Sequence, residues 1–189
     1  MAEPRQIVQL RPSEGVANID GELRVLPGET FEVDVFYTSA IEDPDLRADS
    51  ASLVHELSYD SSQVSVQEEG EFIRSGDESS NFSDIFELVD SIEETDDQGD
   101  NRLIRYSFLS TNLSNPEVFP GTEDGTANLY TVEFQTNEDF ESTTLVNNIA
   151  TRENALPDEF DPEPLDENLT IEARDLEENE APNIIGSNP

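Results

Sequence analysis

The segment Thr30-Phe-Glu-Val-Asp-Val-Phe-Tyr37 decides the fold class, because its apolar and acidic side chains alternate one by one. A period of two places the apolar side chains on one face of a β-strand and the acidic ones on its wet face. The segment Ala51–Tyr59 has the same pattern, since its two leucines, its histidine and its tyrosine share one parity. Both segments are therefore predicted to be strands that cover a common core.

Seven further segments have the composition of short strands and are separated by turn residues. They are Ile7–Leu10, Glu22–Leu26, Val64–Gln67, Leu103–Leu109, Asn128–Gln135, Thr143–Ala150 and Leu169–Ala173. Turn signals stand between them at Leu26-Pro27-Gly28, Tyr59-Asp60-Ser61-Ser62, Gln98-Gly99-Asp100-Asn101 and Phe119-Pro120-Gly121. About nine short strands with almost no helix predict an all-β protein built as an antiparallel β-sandwich.

Four stretches depart from this pattern. Asn81–Glu94 has apolar residues at helical spacing and is predicted to be a short helix or an irregular strand. Long loops are predicted at Ile41–Ser50, Gln67–Asn81 and Thr151–Asn168, the last of which contains three prolines and cannot continue a central strand. We expect one domain over residues 7–174, with an N-terminal linker at 1–6 and a flexible acidic linker at 175–189.

The composition excludes several classes of protein. The chain has 189 residues, 45 of them Asp or Glu and 9 of them basic, for a net charge of −36. This charge repels nucleic-acid phosphates and anionic lipids, so neither is an expected partner. The chain contains no cysteine, which excludes disulfides, thiolate metal sites and cysteine nucleophiles. No apolar run approaches the length of a membrane span, and the first ten residues do not read as a signal peptide.

The excess of negative charge also predicts a halophilic protein. Uncompensated carboxylates repel one another and oppose folding unless salt screens them. All the basic residues are arginines, and lysine, whose long apolar stem covers surface carbon, is absent. The acidic residues are interleaved with regular apolar alternation, which is not typical of a disordered acidic tail. We therefore expect a folded domain from a salt-adapted microbe.

The residues do not predict an enzyme. His55 is the only histidine, and it lies mid-strand on the parity of two leucines, which favours a half-buried structural role over that of a general base. Among so many carboxylates some pair must lie close by chance, so acidic pairs give no signal for glycoside hydrolysis. Carbohydrate binding would need an exposed strip of aromatic rings. Tryptophan is absent, so the strip would have to come from Tyr37, Tyr59, Tyr106 and Tyr130.

One acidic loop is a candidate calcium site. Asp96, Asp97, Asp100 and Asn101 surround Gly99 and could supply several of the six to eight oxygen ligands that Ca²⁺ takes. The spacing is not that of an EF-hand, because no glutamate closes the loop. The alternative interpretation is a solvated acidic hairpin turn. No cofactor is required by either interpretation.

Three segments together resemble cohesin domains. Leu26-Pro-Gly-Glu-Thr-Phe-Glu-Val-Asp-Val-Phe36 is similar to the first cohesin pattern, in which a Gly-acid-Thr turn feeds a Val-rich strand. Ala51-Ser-Leu-Val-His-Glu-Leu-Ser-Tyr-Asp-Ser-Ser-Gln-Val-Ser-Val66 looks like the third cohesin strand and its Tyr-Asp turn. Pro120-Gly121 followed by Leu129-Tyr-Thr-Val-Glu-Phe-Gln-Thr136 resembles cohesin-like modules of large surface proteins. The resemblance extends from about Val8 to Ile171.

The resemblance implies a nine-stranded jelly-roll sandwich with a non-catalytic role in an extracellular or cell-surface assembly. The implied partner is a protein, either dockerin-like or another surface protein, bound through one face of a sheet. No short motif marks that face, so no partner-binding residue is carried over. Two alternatives stay open at this point. One is a calcium-stabilised structural or adhesive spacer, and the other is a carbohydrate-binding module.

Overall fold

The computed structural model describes residues 6–19, 21–39, 52–66, 73–75, 86–95, 101–110, 126–151, 162–174 and 183–184. These residues form fourteen strands: β1 (Gln6–Glu14), β2 (Ala17–Ile19), β3 (Glu22–Val25), β4 (Thr30–Ser39), β5 (Ser52–Asp60), β6 (Val64–Val66), β7 (Ile73–Ser75), β8 (Phe86–Thr95), β9 (Asn101–Ser110), β10 (Thr126–Thr136), β11 (Ser142–Thr151), β12 (Pro162–Pro164), β13 (Asn168–Ala173) and β14 (Asn183–Ile184). All nine predicted strands are among them. The described residues contain no helix, and so none that could cross a membrane.

The strands form two sheets. The smaller sheet has the order β12-β1-β4-β10-β6, with β7 also paired to β10, and the larger has the order β14-β2-β3-β13-β11-β5-β9-β8. All pairs are antiparallel except β1 with β12 and β13 with β3. Non-consecutive neighbours such as β4 and β10 show that the chain crosses repeatedly between the sheets. The predicted all-β sandwich is confirmed.

The core lies between the two sheets. In β4 and β5 the side chains that fill it are the alternate ones that the sequence pattern predicted to be buried. Phe31, Val33 and Leu57, on which the strand prediction depends, are at most 1% exposed. The ring of Phe134 on β10 stacks on Phe31 with ring centroids 5.4 Å apart, and Tyr59 meets its edge at the same separation. These aromatic pairs join strands of both sheets, since β5 belongs to the larger sheet and β4 and β10 to the smaller.

The structure refines three sequence predictions. Strand β8 includes residues 86–94 of the segment Asn81–Glu94, so the irregular-strand alternative is confirmed there and the helical alternative is wrong. A register shift between Leu88 and Asp90 inserts one extra residue, and this bulge breaks the alternation and mimics helical spacing. The predicted loops Gln67–Asn81 and Thr151–Asn168 contain the short strands β7 and β12. The two prolines of β12 stand at a sheet edge, as their missing N–H groups require.

Both predicted linkers contain residues that the structure places in strands. Gln6 already belongs to β1, and Asn183–Ile184, inside the predicted C-terminal linker, pairs with Ala17 and Asn18 of β2. The predicted loop Ile41–Ser50 lies outside the described residues.

Two tight turns set the ends of the strands. Leu26-Pro27-Gly28-Glu29 closes with a hydrogen bond from Glu29 N–H to Leu26 O at 3.2 Å, and Gly28 has φ +81°. Proline followed by a glycine at positive φ is the composition of a type II turn. At Gly15, with φ +74°, a side chain would overlap the carbonyl oxygen of Thr30, so only glycine fits there.

Candidate functional site

His55 lies at the centre of a buried polar network between the two sheets. Its side chain on β5 is 0% exposed, whereas the sequence predicted half-burial. The Nδ1 atom lies 2.6 Å from the Tyr130 hydroxyl on β10, and Nε2 lies 2.7 Å from Asn147 Oδ1 on β11. The Asn147 amide nitrogen donates to the carbonyl oxygens of Val8 and Asp166, each at 3.1 Å. The network therefore connects both sheets and the turn after β12.

The hydrogen bonds define the tautomer of His55. The Asn147 amide nitrogen donates to two carbonyl oxygens, so it is Oδ1 that faces the imidazole. Oδ1 can only accept a hydrogen bond, and Nε2 must therefore carry the hydrogen. Nδ1 is then the acceptor, and the Tyr130 hydroxyl donates to it. Burial lowers the pKa of His55 from 6.5 to about 4, against the opposing effects of the Asn147 hydrogen bond and the Glu56 charge. His55 is thus a neutral structural residue, and neither nitrogen is available for a serine nucleophile.

The outer face of β9, β5 and β11 carries an ion pair at its centre. The Arg105 guanidinium on β9 donates twice to Glu56 Oε1 on β5, at 2.8 and 2.5 Å. The Asn148 amide on β11 donates to Glu56 Oε2 at 2.8 Å. The three strands are adjacent, so these contacts form one continuous row across the sheet. The negative charge of Glu56 is therefore compensated by Arg105 and by the amide of Asn148.

The next row on the same face has two apolar side chains, with a serine between them. Register pairing aligns Leu103, Ser58 and Val146, and Val146 has 38% of its surface exposed. Leu103 and Val54, which lie on the same outward parity, are half-buried. Large exposed apolar side chains are few among the described residues, which include only Val146 and Leu165 in this class. This face therefore combines a neutralised ion pair with a short apolar row.

The strands on either side of β5 carry no acidic residue. Neither Asn101–Ser110 nor Ser142–Thr151 contains an Asp or a Glu, although 45 of the 189 residues of the chain are acidic. The edge strand β8, next to β9, contains four acidic residues in its sequence. We call the outward side of β9, β5 and β11 the acid-poor face.

Comparison with known proteins gives a match in structure and none in sequence. No family model matches the chain, and no curated protein matches its sequence. The fold is similar to the seventh ScaB type I cohesin from Pseudobacteroides cellulosolvens, with 10% identity over 89% of this chain and 92% of that chain and a TM-score of 0.53. The fold is cohesin-like. This confirms the fold that the resemblance of the three sequence segments implied.

Two further cohesins match to a similar extent. The Clostridium acetobutylicum cohesin CaCohA2 is 18% identical over 88% of this chain and 90% of that chain, with a TM-score of 0.51. The sixth cohesin of Acetivibrio cellulolyticus scaffoldin B, solved in complex with a Cel5 dockerin mutant, is 11% identical over 89% of this chain and 99% of that chain, with a TM-score of 0.51. At these identities the likeness establishes the fold of the cohesin-like domain.

The aromatic strip required by the carbohydrate hypothesis is not formed by the tyrosines that the structure describes. Tyr37, Tyr59 and Tyr130 are at most 2% exposed, and the side chain of Tyr106 lies outside the described residues. Three of the four candidate rings are therefore core residues of the cohesin-like domain. The condition that two or more tyrosines form an exposed strip fails.

The predicted calcium ligands fall mostly outside the described residues. Asp96, Asp97 and Asp100 belong to the segment 96–100 between β8 and β9, which the structure does not describe. Asn101 opens β9 and is exposed, with its backbone paired to Asp60 of β5. Within the described ranges no group of three or more His, Cys, Asp or Glu is placed to hold a metal ion. Calcium binding by the loop stays a prediction.

Proposed function

We propose that the cohesin-like domain is a non-catalytic interaction module that binds a protein partner through its acid-poor face. The observation that carries the proposal is the lack of Asp and Glu in β9 and β11. The outer side of the smaller sheet, in contrast, carries Glu32, Asp34 and Glu133. Acidic residues are thus frequent on the outer side of the smaller sheet and scarce on the three strands of the acid-poor face.

The physical reason is the cost of desolvation. A carboxylate that is buried against a partner loses its hydration and destabilises the complex unless a cation or donor compensates it. Charged residues are accordingly depleted at the cores of protein interfaces. On the acid-poor face the central carboxylate, Glu56, is already compensated by Arg105 and Asn148. A partner that binds this face therefore pays a smaller desolvation penalty than one that binds elsewhere on this acidic surface.

The proposed partner is a dockerin-like module. The argument is the fold, because the structurally similar Acetivibrio cohesin is solved in complex with a dockerin. We place the pair in a secreted or cell-surface assembly of a salt-adapted microbe, as the net charge of −36 suggests. Because the domain is so acidic, association with the partner is expected to depend on salt concentration.

Binding of dockerin modules encoded in the same genome tests the proposal. Asn148→Glu places an uncompensated carboxylate beside Glu56 on the acid-poor face and should weaken dockerin binding at least tenfold, about 1.4 kcal/mol, in calorimetric titrations in molar NaCl. Ser65→Glu is the matched control, since Ser65 is an exposed residue of β6 on the smaller sheet. Equal loss in both variants, or no binding of any such dockerin, would overturn the proposal.

The second candidate function is a calcium-stabilised spacer. The observation that favours it is the register of β5 and β9, which sets Asn101, the last residue of the predicted calcium loop, opposite Asp60. The carboxylate of Asp60 would add a further oxygen next to Asn101, and Ca²⁺ prefers oxygen ligands. The calcium experiment described in the Discussion tests it.

A further inference from the structure

A cleft opens in the larger sheet where β5 and β11 separate. Their pairing ends at Ser58 and Val146. Beyond that point β5 continues to Asp60 paired only with β9, and β11 extends back to Ser142 paired only with β13. The two strands therefore diverge within one sheet. The space between them is a half-open cavity of about 420 Å³ at the end of the acid-poor face.

The walls of the cleft are polar and offer oxygen atoms. Ser58, Asp60 and Asn101 line one side, and Ser142, Thr143 and Thr144 line the other. Asp60 carries the only charge among the lining residues. Hydroxyl, amide and carboxylate oxygens all accept hydrogen bonds. The cleft is thus suited to a ligand that brings several N–H donors.

The carboxylate of Asp60 is not compensated in the way that Glu56 is. Its Oδ1 accepts the N–H of Ser62, two residues away in its own turn, at 2.8 Å. Ion pairs from Arg24 and Arg105 go to Glu22 and Glu56, and no arginine of the described ranges is paired with Asp60. Next to an acid-poor face, the cleft therefore offers a single unneutralised negative charge.

The floor of the cleft contains an unmade hydrogen bond. Thr143 is 3% exposed, and its Oγ1 has no hydrogen-bond partner among the residues that the structure describes. Buried hydroxyl groups are nearly always paired, and leaving one unpaired is destabilising. A donor that reached the floor of the cleft would satisfy it. This observation is independent of the charge of Asp60 and also points to a donor-rich ligand.

We propose that the cleft receives a basic side chain, a guanidinium or an ammonium group, from the protein that docks on the acid-poor face; this inference rests on the proposed function. The volume suits an organic group, since a single water in the liquid occupies only about 30 Å³. A guanidinium has five N–H donors and an ammonium three, all of which the oxygens lining the walls can accept. The partner would thus supply the cation that Asp60 lacks.

Titration of the isolated domain with two small probes tests the charge requirement. The probes are N-acetyl-arginine methylamide and its neutral analogue N-acetyl-citrulline methylamide, added to ¹⁵N-labelled protein with a chelator, at the lowest NaCl concentration that preserves the fold. The arginine probe should give saturable amide shifts at Ser58, Asp60 and Thr144, and the citrulline probe should bind at least fivefold more weakly. Equal affinities, or no saturable shift with either probe, would overturn the inference.

Two variants provide the specificity control. Asp60→Asn keeps an oxygen for the Ser62 N–H and so preserves the turn, but it should abolish the preference for the arginine probe. Glu133→Gln removes a carboxylate from the outer side of the smaller sheet and should leave that preference unchanged. A preference that persists in Asp60→Asn contradicts the role of Asp60.

The two proposals fail separately. The probe titration needs no partner, so a negative result there leaves the effect of Asn148→Glu on dockerin binding intact, since Asn148 does not line the cleft. Loss of the proposed function would appear as dockerin binding that Asn148→Glu and Ser65→Glu weaken equally, while the probes still distinguish arginine from citrulline.

Discussion

Acidification is expected to destabilise the domain through His55. In the folded state this side chain is fully buried and neutral, because Tyr130 donates to Nδ1 and Nε2 donates to Asn147. In the unfolded chain the imidazole is solvated and has its ordinary pKa of 6.5. A proton therefore binds the unfolded state more readily than the folded state between pH 6.5 and pH 4. The contribution is fully present above about pH 7 and is lost as the pH falls through this range.

The magnitude follows from the two pKa values. The folded-state pKa of about 4 lies 2.5 units below 6.5, and each unit corresponds to about 1.36 kcal/mol, so the complete loss below pH 4 is about 3 kcal/mol. At pH 5 only the unfolded state is largely protonated, and the loss relative to pH 7 is about 2 kcal/mol. His55 is 0% exposed, so solvent screening does not reduce this figure.

Urea denaturation from pH 7 to pH 4.5 in constant molar NaCl measures the effect, with His55→Gln as the reference that cannot titrate at this position. Protonation of surface carboxylates relieves repulsion and acts in the opposite direction, but it is common to both proteins and cancels in their difference. The wild-type advantage over His55→Gln should shrink by about 2 kcal/mol between pH 7 and pH 5, roughly a 1 M shift in urea midpoint. A difference that stays constant with pH would refute the assigned protonation state.

Further measurements test the buried network, a turn, the charge and the calcium loop. Tyr130→Phe leaves Nδ1 of His55 without a donor and should destabilise by about 1–3 kcal/mol in urea denaturation at pH 7. Gly15→Ala should cost about 2–4 kcal/mol, because the new methyl group meets backbone, whereas Gly28→Ala, with open space at a similar φ, should cost only about 1 kcal/mol. Circular dichroism should show β structure in molar NaCl and its loss near zero salt; equal stability at both extremes would remove the argument for salt adaptation. Calcium should raise the melting temperature by several degrees over a chelator control at constant ionic strength, and the shift should vanish in Asp97→Asn/Asp100→Asn; no shift in the parent chain would contradict the calcium loop.

Alternation was sufficient to predict the sandwich. The strand β4 buries one parity, with Phe31 and Val33 buried and Glu32 and Asp34 facing outward, and β5 and β11 do the same. The strands that sequence analysis missed have only two or three residues, and the segment of β8, predicted as a helix or an irregular strand, contains a bulge. Alternation over two or three residues cannot be distinguished from chance, and one extra residue inverts it.

The partners of His55 could not be predicted from the sequence. Tyr130 and Asn147 lie 75 and 92 residues away from His55 along the chain, and they meet it only because β11 pairs with β5 and β10 packs against them from the other sheet. The acid-poor face, in contrast, leaves a signal in the sequence that was missed. Asn101–Ser110 and Ser142–Thr151 lack acidic residues in a chain that is otherwise dense in them.

The buried network and the acid-poor face are linked by the alternation of β11. Leu145 and Asn147 point inward while Val146 and Asn148 point outward, so a slip of one residue would exchange the core side chains with those of the acid-poor face. Apolar contacts alone discriminate weakly against such a slip, because Leu145 and Val146 are both acceptable in a core. Asn147 discriminates strongly: its side chain bonds His55, Val8 and Asp166, and its backbone N–H donates to Glu167 at 2.8 Å. A polar residue in the core thus fixes which apolar side chain of β11 lies on the acid-poor face.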